Sequence, residues 1–338
     1  MPTFIRVGRI PSDDLFSIKD FVKRRNKSWA VLSTQLRALP ALFDGYLFAV
    51  NYPYQHASGR CLTKQAAIAL NKLYDSKATC FAYIKEFRDK AGEALGCCPY
   101  CGLPSNITLD HYLPRSVKAF PEYSVLSQNL VPACSSCQTS KSDFFSKKST
   151  KHYVRKSVIK RSQISARHAP AKRVKPMIKI KKIGGRSPML NMQPLRFIHP
   201  YFDDFILKPV MAVRLSGRHG ELTKVIAKGS LCRWERLALN FHISKLKISY
   251  RASHAVRRYK SAIISDFRLR GTSTVVEAKA ELPKLYSAAL QRAGGAFNSI
   301  EAIYIQSLLD NSEMLNELIA ESLVSKPLNE VAFRGVSI

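Results

Sequence analysis

The sequence predicts an α+β protein, with a small cysteine-stapled unit between a helical N-terminal region and a mixed, mainly helical C-terminal region. Three observations predict it. Apolar residues recur at helical spacing up to Leu95, two Cys-x-x-Cys pairs bracket short alternating stretches, and beyond His199 a second alternating stretch leads into long helical periodicity. The regions that follow are 1–96 (helical), 97–145 (stapled unit), 146–198 (basic linker or strap) and 199–338 (hairpin plus helices).

In the first region, Asp13 and Asp14 precede Lys19, Lys23, Arg24, Arg25 and Lys27, interleaved with Phe21, Trp29, Leu32 and Leu36. That pattern predicts a basic amphipathic helix ending near Pro40. A second helix is expected from Thr63 to Leu73. In the third, Phe81, Ile84, Phe87, Ala91 and Leu95 share one face, and Gly96 stops the helix before the first cysteine pair.

Cys98-Pro-Tyr-Cys101 and Cys134-Ser-Ser-Cys137 are separated by 32 residues. Two such knuckles place four thiolates around one Zn²⁺, a structural site that leaves no open position. Reduced thiols and a metal suit this chain better than disulfides. Cys97 could replace Cys98 only with a changed knuckle spacing, and Cys61, Cys80 and Cys232 are expected as small buried hydrophobes. Within the loop, the alternation from Ile107 to Leu113 predicts one strand and Asn129 to Pro132 another, with a helix after Cys137. His111 is the one histidine between the knuckles, and a histidine suits general-base work near neutral pH. Asp110 beside it points to the opposite face of a regular strand, so the two could share a site only at a kink or a strand end.

Charge gives the second signal. The 338-residue chain carries 54 Lys+Arg against 24 Asp+Glu, a net +30, and residues 141–186 hold 16 basic residues and one acid. Such an excess favours polyanions, and nucleic acid, DNA ahead of RNA, is the expected partner. Lys147, Lys148, Arg155, Lys156, Lys160 and Arg161 are read as a strap along a phosphate backbone rather than a bare linker. No apolar run approaches the ~18 residues that span a bilayer, and Met1-Pro-Thr-Phe-Ile-Arg is no signal-peptide core, so a cytoplasmic protein without a membrane partner is expected.

His199-Pro-Tyr-Phe-Asp203-Asp204 opens the last region and reads as a turn packing aromatics rather than as a catalytic cluster. Pro209 to Ile226 predicts a hairpin, and Cys232 to Lys260 a helix with a basic stripe of Arg251, Arg257, Arg258 and Lys260. The tail from Val275 to Leu323 is helical and mildly acidic, with interruptions expected at Pro283 and at Gly294-Gly295.

The stretch Leu109-Asp-His-Tyr-Leu-Pro114, followed by Asn129-Leu-Val-Pro-Ala-Cys134-Ser-Ser-Cys137-Gln138-Thr-Ser-Lys141-Ser-Asp143, resembles the HNH endonucleases of the ββα-metal fold, in the subgroup stapled by four cysteines. The resemblance covers Cys98 to Asp143. It implies phosphodiester hydrolysis dependent on Mg²⁺ or Mn²⁺, with Asp110 and Gln138 on the catalytic ion and His111 as general base. It further implies that Asn129 braces the loop that orients His111 and that Lys141 faces phosphate. The family usually has Asn or His where this chain has Gln138, which offers the same amide oxygen on a longer stem. Many stand-alone relatives of this kind act in mobile elements or antiviral defence, some beside an ATPase, and a regulatory or ATPase partner is expected by that analogy. The competing reading is a zinc ribbon that binds nucleic acid without cutting it.

Overall fold

A computed structural model describes residues 9–24, 29–53, 62–146, 195–216 and 222–324. The architecture is α+β: mostly helices, with two separate two-stranded antiparallel sheets. No helix among the described residues is long and apolar enough to cross a membrane.

The expected single helix up to Pro40 is instead several short pieces. Helix α1 (Pro11–Arg24) carries Asp13 and Asp14 in its first turn and Lys23 and Arg24 in its last, matching the helix dipole, and it buries Ile18 and Phe21. Then come α2 (Ala30–Ser33), α3 (Leu39–Asp44) and α4 (Tyr46–Asn51). Pro40 lies in the first turn of α3. Proline has no N–H to lose there, so it starts a helix that sequence reasoning had it ending.

Helix α5 (Lys64–Leu73) begins where expected, with the Thr63 hydroxyl accepting the Ala66 N–H at 3.2 Å. After a 3₁₀ turn, α6 (Ala82–Ala94) buries Tyr83, Ile84, Phe87 and Ala91. Gly96 does more than stop it. A Cβ at Gly96 would stand 1.8 Å from the Arg292 carbonyl oxygen, so the residue permits a close backbone approach by the C-terminal region.

Strands β1 (Ile107–His111) and β2 (Leu130–Cys134) pair antiparallel, from Ile107 opposite Cys134 to His111 opposite Leu130. Helix α7 (Ser135–Lys141) follows with no loop, starting two residues before Cys137 rather than after it. Strand, strand and helix thus form one compact unit, with Cys134 at the strand end and Cys137 in the first helical turn. Beyond it lies the expected hairpin of β3 (Met211–Ser216) and β4 (Leu222–Ala227).

The single helix expected from Cys232 to Lys260 is two helices, α8 (Arg233–Lys245) and α9 (Ile248–Arg270), parted at Lys247, whose φ is 51°. Cys232 is exposed at the α8 start, not buried, and its N–H is capped by the Glu235 carboxylate at 2.9 Å. Pro283 does not interrupt α10 (Val275–Arg292). It sits on the exposed side, where the carbonyl left without an N–H partner can turn to water. The chain does turn at Gly294 and Gly295, both at positive φ, before α11 (Ile300–Asp310) and α12 (Ser312–Leu323).

That turn clasps the first knuckle. Gly102 has φ +68°, a Cβ there would meet the Asn298 carbonyl oxygen at 2.2 Å, and its own carbonyl accepts the Ile300 N–H at 2.8 Å. One apolar core accordingly runs through all the described regions, from Ile18 and Phe21 through Leu130 and Val131 to Leu315.

Candidate metal staple and cleft

The four cysteine sulfurs lie within 4.8 Å of one another, all on buried residues. Cys98 Sγ is 3.8 Å from Cys137 Sγ, and Cys101 Sγ is 3.9 Å from Cys134 Sγ. A tetrahedron with Zn–S bonds of about 2.3 Å has edges of about 3.8 Å, whereas a disulfide needs about 2.05 Å. The four cysteines could hold a metal ion, and the spacing fits zinc. Cys97 is excluded from this group: its thiol faces the Ala293 carbonyl at 4.0 Å, and burial pushes its pKa up to about 12. Arg251 of α9 supports the cluster from outside, with Nη2 3.1 Å from Cys137 Sγ and Nη1 3.8 Å from Cys134 Sγ. A tetrathiolate around a divalent ion carries excess negative charge, and the guanidinium offsets part of it.

Next to this staple, Asn71, Asp110, His111, Arg115, Gln138, Lys141 and Asp143 line an open cleft of about 360 Å³. Asp110 and His111 both reach it because His111 is the last residue of β1, where strict alternation ends. His111 Nε2 lies 2.8 Å from the Ser124 carbonyl oxygen. A carbonyl only accepts, so Nε2 carries the proton and Nδ1 is the ring nitrogen free to accept one. Burial pushes the His111 pKa down to about 3, against the opposing pull of that carbonyl, so the ring is neutral at physiological pH. Tyr74 packs against it with ring centres 4.4 Å apart.

Asn129 fixes the loop that supplies this carbonyl. Its Nδ2 donates to the carbonyls of Leu113 and Tyr123, and its Oδ1 accepts the Leu113 N–H at 2.8 Å, so the two ends of the 113–123 loop are tied through one side chain. Ser124 is the next residue. Tyr46 O–H donates to Asn129 Oδ1 at 3.1 Å and stands 3.0 Å from His199 Nε2, while His199 Nδ1 accepts the Tyr201 N–H. His199 is thereby engaged on both nitrogens in the core. Asp203 is buried and held by Arg196 at 2.6 and 2.9 Å.

Lys141 points inward. Its side chain is 1% exposed, and Nζ lies 3.1 Å from Asp110 Oδ2 and 2.7 Å from the His111 carbonyl oxygen. The Asp110 contact is poorly aligned, and Oδ2 is buried without a hydrogen bond among the described residues. Burial raises the Asp110 pKa, and the Lys141 charge opposes that shift. Gln138 Nε2 donates to Thr108 Oγ1 and the Ala133 carbonyl, both at 3.1 Å, which leaves Oε1 without a partner among the described residues. Two oxygen donors, the Asp110 carboxylate and Gln138 Oε1, therefore border one cleft, a donor chemistry that fits Mg²⁺ or Mn²⁺.

Arg115 is the residue sequence reasoning missed. It sits between Asp75, with N···O distances of 2.9 and 3.3 Å, the Asn71 carbonyl at 2.8 Å and the Tyr74 ring at 4.7 Å. Its position four residues after His111, just past Pro114, was the available signal. The strap residues Lys147, Lys148, Arg155, Lys156, Lys160 and Arg161 lie outside the described residues.

No protein-family model matches the chain, and no solved structure matches it. The chain is similar to Protein ea31 of Escherichia phage lambda, 35% identical over 68 residues that make up 20% of this chain and 21% of that protein. It spans about a fifth of the length of the curated relative it matches.

Proposed function

We propose that the protein is a metal-dependent endonuclease of the HNH type that hydrolyses phosphodiester bonds in DNA. The observation that carries this reading is His111: neutral, with Nε2 fixed on the Ser124 carbonyl, bordering the same cleft as the Asp110 carboxylate and Gln138 Oε1. In that arrangement Nδ1 would accept a proton from an attacking water, as a base weakened by the same burial that keeps the ring neutral. Asp110 and Gln138 would hold the divalent ion, which neutralises charge building on the phosphate. Asn129 acts at one remove by fixing the loop that fixes His111. Arg115, held on Asp75 and the Asn71 carbonyl, is the other cation at the cleft wall, and it would have to share its guanidinium with Asp75 to meet a phosphate. The net charge of +30 supports nucleic acid as the partner.

Two observations favour the other reading, a zinc ribbon that binds without cutting. Asp110 already faces an ammonium, and the donor beside it is a longer-stemmed Gln rather than Asn or His. A plasmid-nicking assay with Mg²⁺ and then Mn²⁺ separates the two. The parental protein is expected to nick, and His111→Ala to lose at least about 10²-fold in rate while keeping zinc and DNA affinity. Equal nicking by His111→Ala refutes His111 as the general base, and no nicking by the parental protein with either ion refutes the nuclease reading.

A further inference from the structure

Helix α9 sorts its basic side chains into two groups. Arg251 holds the zinc-site sulfurs, Lys260 pairs with Glu321, Arg268 donates to the carbonyls of Glu321, Ser322 and Val324, and Arg270 pairs with Asp266 and Glu281. All of these serve the fold. Lys247, Arg257 and Arg258 are exposed and form no ion pair with the described residues. Between them stands an aromatic ladder. Arg257 Nη2 donates to His254 Nδ1 at 3.1 Å, the His254 ring meets Tyr250 edge-on at 6.2 Å, and Tyr250 is 73% exposed.

Positions 250, 254 and 257 recur every three or four residues, so they form one stripe on the solvent face of the helix, and Lys247 stands at the N-cap just before it. Among the described residues, no carboxylate pairs with the stripe's cations. Adjacent guanidinium groups repel, and a tyrosine ring left in water forgoes its burial energy. Cations for phosphates and an exposed ring for a base face are the combination that polynucleotide-binding surfaces use. Location agrees with composition. Arg251, next to Tyr250, touches Cys137 of α7, and Lys141 at the cleft lies four residues along the same helix, a rise of about 6 Å.

We propose that the Lys247, Tyr250, His254, Arg257 and Arg258 face of α9 is a second nucleic-acid surface, which binds the backbone of the strand flanking the cleft and stacks an unpaired base on Tyr250. It rests on the nuclease reading only for what occupies the cleft. The test measures binding by fluorescence anisotropy without divalent ions, using the full chain, a labelled single-stranded DNA and its matching duplex. Lys247→Ala/Arg257→Ala/Arg258→Ala is expected to bind both at least about tenfold more weakly. Its slope of log affinity against log salt should fall by about 0.9 per lost contact on duplex and about 0.7 on single strand. Tyr250→Ala should weaken single-strand binding about tenfold and leave duplex binding nearly unchanged, since only an unpaired base can stack on the ring. Zinc content and thermal unfolding equal to parental show that the variants are folded.

An unchanged salt slope in the triple variant overturns the proposal, as does a Tyr250→Ala protein that loses nothing on single strands. A parental protein that binds through the stripe but never nicks sinks the nuclease reading and leaves this surface standing. The reverse, nicking intact and the stripe dispensable for binding, sinks the surface alone.

Discussion

Lys141→Met tests whether the interior of the cleft is built around a cation. Methionine keeps the unbranched apolar stem of lysine, one atom shorter, and removes the charge, so the Asp110 carboxylate, 17% exposed, loses the ammonium 3.1 Å away, and the His111 carbonyl loses its 2.7 Å donor. Removing one partner of a buried ion pair costs about 3–5 kcal/mol. With an unfolding entropy of about 2.1 cal/mol/K per residue, a chain of 338 residues has about 0.7 kcal/mol/K, which converts that cost into a Tm lower by about 4–7 °C. If Asp110 is also a ligand for a divalent ion, Mg²⁺ replaces the missing charge. The variant should then regain part of its Tm in Mg²⁺, by RT ln(1 + [L]/Kd), while the parental protein, already neutralised, gains less. Thermal unfolding followed by circular dichroism, with zinc loaded and Mg²⁺ varied, reads both effects. A variant melting within a degree of parental would show that the Asp110 and Lys141 pair contributes nothing. Equal Mg²⁺ gains in the two proteins would refute Asp110 as the ion's ligand.

Three further outcomes are expected. Cys134→Ser should lose zinc and stability together, since zinc binding is part of the folding free energy of so small a unit, whereas Cys97→Ser should keep one zinc per chain by metal analysis. Burial holds the His199 pKa well below its ordinary 6.5, so its share of stability is present above pH 6.5 and is lost as pH falls from there towards the folded value. Denaturant unfolding of His199→Gln should therefore show a slope between pH 6.5 and 5 shallower than parental by up to about 1.4 kcal/mol per pH unit; parallel slopes would place the ring in contact with water. Gly102→Ala combines a strained positive φ with backbone atoms 2.2 Å from the new methyl group, and it should lower soluble yield far more than Gly271→Ala, where φ is also +68° but nothing lies within 4 Å.

What was legible in the sequence is what local chemistry specifies. The Cys98, Cys101, Cys134 and Cys137 spacing fixes four thiols at the ends of two tight turns. The Thr63 cap, the hairpin across residues 211–227 and the α6 face likewise follow from neighbours a few residues away. Pro40 shows the limit of that reasoning, because the same residue ends one helix or begins another depending on what packs around it. So does the Asp110 and His111 pair, which shares a cleft only because β1 stops at His111.

Contacts distant in the chain decided the remainder. Cys97, left out of the cluster by the knuckle spacing, turns its thiol to the carbonyl of Ala293 from the other end of the chain. Lys141 turns inward because a carboxylate and a carbonyl from β1 await its ammonium, and Arg115 takes the cleft wall because Asp75 and Tyr74 of the preceding helical region hold it there. The basic stripe of Arg251, Arg257, Arg258 and Lys260 was one run in the sequence until Glu321 and the clustered cysteine sulfurs engaged half of it. Composition reports how much charge a chain carries, but which charges remain for a partner depends on where the folded core brings their counter-charges.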